Sequence, residues 1–413
     1  MLVAGLSWTR AKMERHQRRG EPHTSLSSLI TLIAIAVPLV SAAATLTDDS
    51  KCECYLTNGT QASFFATHRF FDFRSLAKNA GVPPTIVKSD DSGSAPVTSE
   101  YFTTKEWTDT FMVLGWDNSH QVREDATVLM VNSPNNVYIE ANGDRNPSSQ
   151  TWLTLRTQRL KDFQTAAEIE SRRGFQYLSV RMLARTVGAP GAITALFTYR
   201  GSDRLADVQE SDIEVRTMDP RNTIQYTNQP SYTEEGEQID HATKNVTLPN
   251  GHPDWTHWAV HRLDWTPKET VWYVDGTEVA TISFQTPRDP SKVILNAWSD
   301  GGEWSGNMTV NEAAYLQIQW LDIVYNATDE DPAKKMKRHD DGTATVLGAR
   351  SGDDEDEEGG CDVVCSIDET TERGKPVMLW NNGGVRMMEV ELVAWIPSFM
   401  VLGMFVFSSG GLW

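Results

Sequence analysis

The sequence is short of positive charge: 37 Lys and Arg residues stand against 56 Asp and Glu residues, which gives a formal net charge of −19. A surface of that sign repels nucleic acid and anionic lipid, so we expect no nucleic-acid partner. Neutral polymers remain as a class of partner. The chain has 14 tryptophans, and indole rings pack either in a core or against the flat apolar face of a ligand.

The familiar nucleotide and metal motifs are also missing. The sequence contains no P-loop, no glycine-rich dinucleotide motif and no HExxH zinc motif. His252, His257 and His261 are unevenly spaced and imply no third metal ligand, so we interpret them as structural residues. We therefore expect no cofactor, and the sequence leaves a structural calcium ion open.

Cysteine is scarce, with four residues in two distant pairs: Cys52 and Cys54, then Cys361 and Cys365. A disulfide within Cys-x-Cys would be strained. Cross-pairing of the two ends fits an oxidising compartment better. A zinc site is the alternative, but no histidine has finger-like spacing near either pair. The sequence thus predicts disulfides between the two ends of the domain.

An export signal is predicted over residues 1–44. Basic residues precede an apolar run at 29–44, and small residues at 41–43 offer a cleavage site. An uncleaved membrane anchor is the alternative. Export would make four Asn-x-Ser/Thr sequons candidates for glycosylation: Asn58, Asn245, Asn307 and Asn326.

Residues 45–328 have the pattern of one β domain. The stretches TWLTLRT (151–157), QYLSVRMLART (176–186) and VWYVDGTEVATI (271–282) alternate or run apolar, as strands do. Within the last of these, Asp275-Gly276 predicts a tight hairpin turn. Helical periods are few and turn residues recur between the strands. These features favour an antiparallel β-sandwich.

The composition changes toward the C-terminus. Residues 329–360 include six consecutive acids at 353–358, a run that stays solvated and indicates a linker. We assign residues 361–391 to a cysteine-containing segment with a polar spacer. Residues 392–413 carry no charge and are long enough to span a bilayer.

Small residues at 381–384, the spacer and the apolar tail together resemble a glycolipid-anchor signal, in which the tail is removed. A transmembrane helix is the alternative. We expect a secreted monomer at the cell surface or in the cell wall, attached to membrane only through this tail.

The stretch QESDIEVRT (209–217) contains three acids at alternate positions, which suggests a catalytic site. On a strand, Glu210, Asp212 and Glu214 share one face, while Ile213 and Val215 occupy the other. A solvated sheet face explains such a pattern. Three acids on one face repel one another, however, and a retaining glycosidase needs two carboxyls, one as nucleophile and one as acid/base. The pattern therefore leaves both interpretations open.

ESDIE resembles the Glu-x-Asp-x-Glu signature of glycoside hydrolase family 16, which includes laminarinase-like, lichenase-like and fungal wall-remodelling enzymes. Segments 172–200, 257–280 and 293–306 resemble further family segments in the family's order. The resemblance implies an all-β jelly-roll sandwich of the concanavalin-like type. It implies Glu210 as nucleophile, Asp212 as the assisting acid and Glu214 as the general acid/base.

The resemblance also implies a substrate. We expect retaining hydrolysis or transglycosylation of cell-wall β-glucans of the β-1,3 or mixed-linkage type, with chitin as a further acceptor. The alternative is a lectin-like sandwich that binds glycan without cutting it. Arg216 departs from what a general acid favours, because a cation lowers the pKa of the nearby Glu214. Four residues are implied to contact the sugar: Trp298, Trp304, Asn228 and Tyr199.

Overall fold

The structure is a computed structural model that describes residues 45–60, 62–91, 95–120, 122–249, 251–327 and 361–381. The predicted export signal, the linker at 329–360 and the apolar tail at 392–413 lie outside the described residues. Within the described part of the chain, no helix has the length and apolar character needed to cross a membrane.

Strands form most of the regular structure. The one α-helix among the described residues is the single turn α1, Lys105–Thr108, and the other helical segments are short 3-10 turns. The strands are β1 (Thr45–Leu46), β2 (Cys54–Leu56), β3 (Phe64–Phe65), β4 (Thr67–Asp72), β5 (Phe111–Val113), β6 (Trp116–Asp117), β7 (Leu129–Asn132), β8 (Val137–Ala141), β9 (Thr151–Arg159), β10 (Phe163–Ser171), β11 (Phe175–Gly188), β12 (Ile193–Arg200), β13 (Gln209–Arg216), β14 (Thr223–Gln229), β15 (Thr243–Thr247), β16 (Ala259–Trp265), β17 (Thr270–Val274), β18 (Thr277–Ile282), β19 (Lys292–Trp298), β20 (Ala313–Ala327), β21 (Val363–Ser366) and β22 (Val377–Asn381).

Two large sheets face each other. The first, here called the acid sheet, has the order β5-β10-β19-β12-β13-β14-β15. The second, the back sheet, has the order β8-β9-β20-β11-β16-β17-β18, with β4 also paired to β20. Strand β10 pairs in both sheets and joins them at one side. The predicted all-β antiparallel sandwich is confirmed.

The core lies between these sheets. Ile213 and Val215 of the acid sheet belong to the same buried cluster as Val180, Met182 and Trp272 of the back sheet. Strand alternation delivers these side chains to one face of each strand, and removal of their apolar surface from water is the main force holding the sheets together.

The strand predictions for 151–157 and 176–186 are confirmed by β9 and β11. The hairpin is confirmed as well, since Asp275 and Gly276 join β17 to β18 with φ angles of 46° and 78°. Two positive φ angles in succession match the right-handed twist of the flanking strands, and an Asp-Gly pair adopts them readily.

A third sheet, the cystine sheet, has the order β1-β22-β21-β2-β3. Disulfides join Cys52 to Cys365 and Cys54 to Cys361, so the predicted cross-pairing of the two ends is confirmed. The sheet packs against the back sheet through an apolar cluster that includes Val324 of β20. Residues 361–381 therefore belong to the folded unit rather than to the separate segment predicted for residues 361–391.

A buried ionic cluster lies where the cystine sheet meets the back sheet. Asp368 forms ion pairs with Arg181 and Arg262, and the side chains of Asp368 and Arg181 are 5% and 3% exposed. Arg262 also binds Asp264 at 2.7 Å. Burial alone would raise the pKa of Asp368, but the two guanidinium groups outweigh burial and hold that pKa below its ordinary value.

Removal of Asp368 tests the importance of this cluster. Asp368→Ala leaves two buried arginines without this partner, and loss of one member of a buried pair costs about 3–5 kcal/mol. We expect a large fall in the midpoint of thermal unfolding. The matched control is Lys105→Ala, which breaks an exposed i,i+4 pair with Asp109 and should cost about 0.5 kcal/mol or less. Equal effects of the two variants would contradict the prediction.

Candidate active site

The three acids of β13 lie together on the outer face of the acid sheet, here called the acid face. Ile213 and Val215, which alternate with them, are buried in the core at 3% and 6% exposure. At about 3.3 Å per residue, the Cα atoms of Glu210 and Glu214 are about 13 Å apart, so their long side chains must lean toward each other to act on one bond.

Burial dominates the titration of these acids. It raises the pKa of Glu210 to about 8 and that of Glu214 to about 7, and it raises the pKa of Asp212 well above its ordinary value. The neighbouring carboxyls add to the effect on Asp212, because each negative charge disfavours another. The three groups therefore cannot all be ionised near neutral pH.

Asp212 is the acid best suited to keep its proton. It is only 2% exposed, and a contact with the Gln229 side chain lowers its pKa less than burial raises it. A buried carboxylate with so little hydrogen bonding is costly, so the neutral form is favoured. A protonated Asp212 can donate to Glu210, and this contact lowers the pKa of Glu210. Glu210 is therefore the member of the pair that ionises first.

Glu214 has a different environment at the other end of the strand. Burial raises the pKa of Glu214, while Arg216 and a hydrogen bond from Trp304 lower it. The guanidinium of Arg216 stacks over the Trp304 ring at 4.5 Å. The expected influence of the Arg216 cation is thus present, but burial outweighs it and the pKa remains raised, as a general acid requires.

Three of the four predicted sugar contacts lie on or beside the acid face. Tyr199 is paired with Glu210 across β12 and β13 and is 38% exposed. Trp298 lies on the same face of β19, and Trp304 contacts Glu214. Their roles in sugar binding remain predictions.

Asn228 requires a correction. It is fully buried, and it points into the sandwich opposite to the acids. Its side chain accepts a hydrogen bond from Ser211 and donates to the backbone of Ile282 and Phe284. The prediction failed because Asn228 lies one residue out of phase: its neighbours Thr227 and Gln229 pair with Asp212 and Glu210 on the acid face.

Several residues of the acid face were missed by sequence reasoning. Gln225 of β14 is directly opposite Glu214. On the other side of Glu214, Asn296 lies two strands away on β19, and Glu168 lies beside Asn296 on β10. Burial raises the pKa of Glu168 to about 7, although a hydrogen bond of 3.2 Å from Trp116 opposes this. The alternation of Glu168 and Glu170 around Ile169 repeats the signal of β13 and could have identified them.

The arrangement places three carboxyls with different surroundings on one partly enclosed sheet face, beside aromatic rings. Residues 125–321, which include all three acids, match the family model of glycosyl hydrolases family 16. The resemblance to glycoside hydrolase family 16 is therefore confirmed over this segment.

Curated relatives agree with this match. The β-glucanase of Bacillus licheniformis is 30% identical over 133 residues, which make up 32% of this chain and 51% of that protein. The β-glucanase of Bacillus amyloliquefaciens is 26% identical over 152 residues, 36% of this chain and 58% of that protein. The probable glycosidase CRR1 of Saccharomyces cerevisiae is 27% identical over 167 residues, 38% of this chain and 36% of that protein.

The chain thus spans about half the length of the β-glucanases it matches. Among solved structures, the B. licheniformis β-glucanase has 22% identity and a TM-score of 0.41, with coverage of 54% of this chain and 94% of that chain.

Arg216 should influence the alkaline limit of activity. A retaining glycosidase of the kind proposed below needs Glu214 protonated and Glu210 ionised, so kcat/KM should have a bell-shaped pH profile with limbs near the two raised pKa values, about 7 and about 8. Arg216→Gln removes a cation that lowers the pKa of Glu214, so the alkaline limb should move to higher pH. Arg216→Lys keeps the charge and should leave the profile close to that of the parent. A Gln variant with an unmoved alkaline limb would contradict this assignment.

Burial of Glu210 should make the protein less stable at alkaline pH. Between the ordinary pKa of 4.5 and the folded value of about 8, the unfolded chain releases this proton while the folded chain retains it, so stability falls as pH rises. Glu210→Gln should therefore unfold at a higher temperature than the parent at pH 8 but not at pH 4. The exposed Glu100→Gln serves as control and should show no pH-dependent gain.

Proposed function

We propose that the protein is a retaining glycoside hydrolase or transglycosylase that acts on β-glucan chains of a cell wall. The observation that carries the proposal is the placement of Glu210, Asp212 and Glu214 on one partly enclosed sheet face with raised pKa values. Support comes from the family match and from relatives named β-glucanase. A structural strand gains nothing from one buried and two half-buried carboxyls on the same face, whereas glycoside cleavage uses them.

In the first step, Glu214 gives its proton to the leaving oxygen as the glycosidic C–O bond breaks. Glu210, as carboxylate, attacks the anomeric carbon and forms the glycosyl-enzyme. Asp212 donates a hydrogen bond to Glu210, which opposes the effect of burial and lowers the pKa of Glu210, so that the carboxylate needed for attack forms more readily. Its role is to position and tune the nucleophile.

In the second step, Glu214 is a carboxylate and acts as a base. It takes a proton from water or from a sugar hydroxyl, whose oxygen attacks the anomeric carbon while the bond to Glu210 breaks. Water gives hydrolysis and shorter chains. A sugar hydroxyl gives transfer and longer chains, and the enzyme returns to its starting protonation in both cases.

The proposal includes a place for the chain outside the cell. It is supported by the basic and apolar N-terminal sequence, by four sequons and by two disulfides, which belong to oxidising compartments. Attachment through the apolar C-terminal tail as a glycolipid anchor, a monomeric state and chitin as an acceptor complete the proposal. Release of the protein from cells by a phosphatidylinositol-specific phospholipase tests the anchor.

Product analysis tests the activity. The purified protein is incubated with β-1,3-glucan, mixed-linkage glucan and chitin oligosaccharides, and the products are separated by size. The parent should shorten or redistribute at least one β-glucan. Glu210→Gln should abolish this, and Glu214→Gln should reduce it by about 10²–10⁴-fold. The exposed Glu312→Gln is the matched control. Unchanged chains that still bind the parent would overturn the proposal in favour of a lectin.

A further inference from the structure

The four sequons differ in what their asparagines contact. Asn58 accepts a hydrogen bond of 3.0 Å from Arg262 of the buried ionic cluster, and Asn326 accepts one of 3.1 Å from the backbone between β3 and β4. Both therefore lie beside the cystine sheet. Asn245 and Asn307 are exposed, and neither side chain makes a hydrogen bond within the described part of the chain.

Asn245 lies on the outer face of β15, the last strand of the acid sheet. It is directly opposite Gln225 of β14, which is directly opposite Glu214 of β13. Directly opposed residues of an antiparallel pair point the same way, so all three side chains lie on the acid face. The next residue, Val246, packs against the core, as the alternation of a strand requires.

A row of side chains runs across the strands through Glu214 and ends at Asn245. On the other side of Glu214 the row continues over Ala195 and Asn296 to Glu168. Glu214 and Asn245 are about 10 Å apart, the width of two strand spacings. Because Asn245 is exposed on the last strand, a group attached to it projects at the edge of the acid face.

We propose that Asn245 carries an N-linked glycan, and that this glycan limits how far a long glucan chain can extend over the β15 edge of the acid face. The inference rests on the proposed function, which includes both export and a glucan substrate. An N-linked glycan is bulky. At the end of the row it occupies space that a chain bound along the row needs once it passes Gln225. A chain that ends before Asn245 does not meet it, so the glycan discriminates by length through a clash rather than through a new contact.

Attachment of the glycan needs a co-reactant, an oligosaccharide linked through pyrophosphate to a membrane lipid. The side-chain nitrogen of Asn245 attacks the anomeric carbon of the first sugar, and the C–O bond to pyrophosphate breaks. The amide loses one proton and the lipid pyrophosphate leaves with the bonding electrons, so nothing is oxidised or reduced. Because the glycan is added during export, the folded chain must leave it outside the core. The exposed outer position of Asn245 meets that condition.

Glycan mapping tests the first half of the proposal. The full chain is expressed in a eukaryotic host that exports it, and a glycosidase that cleaves the bond between sugar and asparagine is applied in heavy-oxygen water. Each glycosylated asparagine becomes a labelled aspartate, which mass spectrometry locates. Asn245 should be labelled in most of the secreted protein.

Two substitutions at one position separate the effect of the glycan from that of the side chain. Thr247→Ala destroys the sequon and keeps Asn245, whereas Thr247→Ser keeps the sequon. The measured quantity is the rate on long β-glucan divided by the rate on a short β-glucan oligosaccharide. Thr247→Ala should raise this ratio by about threefold or more, because it removes a steric block, and Thr247→Ser should leave it close to that of the parent.

Two further variants complete the series. Asn245→Gln removes the same glycan by another route and should match Thr247→Ala. Thr328→Ala removes the sequon of Asn326, which lies on the back sheet, and should leave the ratio unchanged. A change of equal size in Thr328→Ala would contradict the proposed role of the acid-face edge.

Failure of the inference is distinct from failure of the proposed function. An unlabelled Asn245 beside a labelled sequon elsewhere overturns the inference alone, and a chain with no labelled sequon counts against export as well. If Asn245 is labelled but Thr247→Ala keeps the ratio of the parent, the glycan does not limit chain length. If the parent acts on no β-glucan, the proposed function fails. Binding constants for the same two ligands then replace the rates, and an unchanged ratio overturns the inference too.

Discussion

On β13, the backbone alternation that directs Ile213 and Val215 into the core directs Glu210, Asp212 and Glu214 out of it. Core packing therefore fixes the face on which the acids lie. A slip of the strand by one residue would bury the carboxyls between the sheets and expose the apolar side chains. The strands on both sides follow the same rule. Residues that are directly opposite an acid on a neighbouring strand point the same way as that acid, so they lie beside it on the acid face.

Concentrating like charge on an enclosed face works against folding, and the rest of the molecule compensates elsewhere. The acids repel one another, and the buried Asp212 has little hydrogen bonding to offset this. On the opposite side of the sandwich, charges are instead neutralised: two arginines and two aspartates form a buried cluster where the cystine sheet meets the back sheet. They are Arg181, Arg262, Asp264 and Asp368. The neutralised ionic cluster and the mutually repelling acids therefore lie on opposite sides of the core. Such a separation is common where activity and stability conflict.

The sequence sufficed for features that depend on local periodicity. Alternating patterns identified β9 and β11, Asp275-Gly276 identified a hairpin, and ESDIE identified the acid row. Features that depend on pairing between distant strands were harder. Asn228 was misplaced because sequence spacing alone did not settle the phase of β14. Gln225 and Asn296 were missed because each becomes informative only when its strand is aligned with Glu214.

The buried ionic cluster could not be predicted from the sequence for a related reason. Arg181 and Asp368 are separated by 187 positions along the chain, and no local pattern indicates that two such residues meet. The cysteines were different, because their small number and their location at the two ends left few sensible pairings. Scarcity of a residue type thus made a long-range contact predictable where abundance of charged residues did not.

The disulfides also change the connectivity of the molecule. Cys52 is joined to Cys365 across 313 positions and Cys54 to Cys361 across 307, so nearly the whole described chain lies within a covalent ring. A single peptide-bond cut anywhere between Cys54 and Cys361, the acidic stretch at 353–358 included, opens the ring without dividing the molecule. Whatever is attached beyond Cys365 therefore stays tethered to the acid face after such a cut, until both disulfides are reduced.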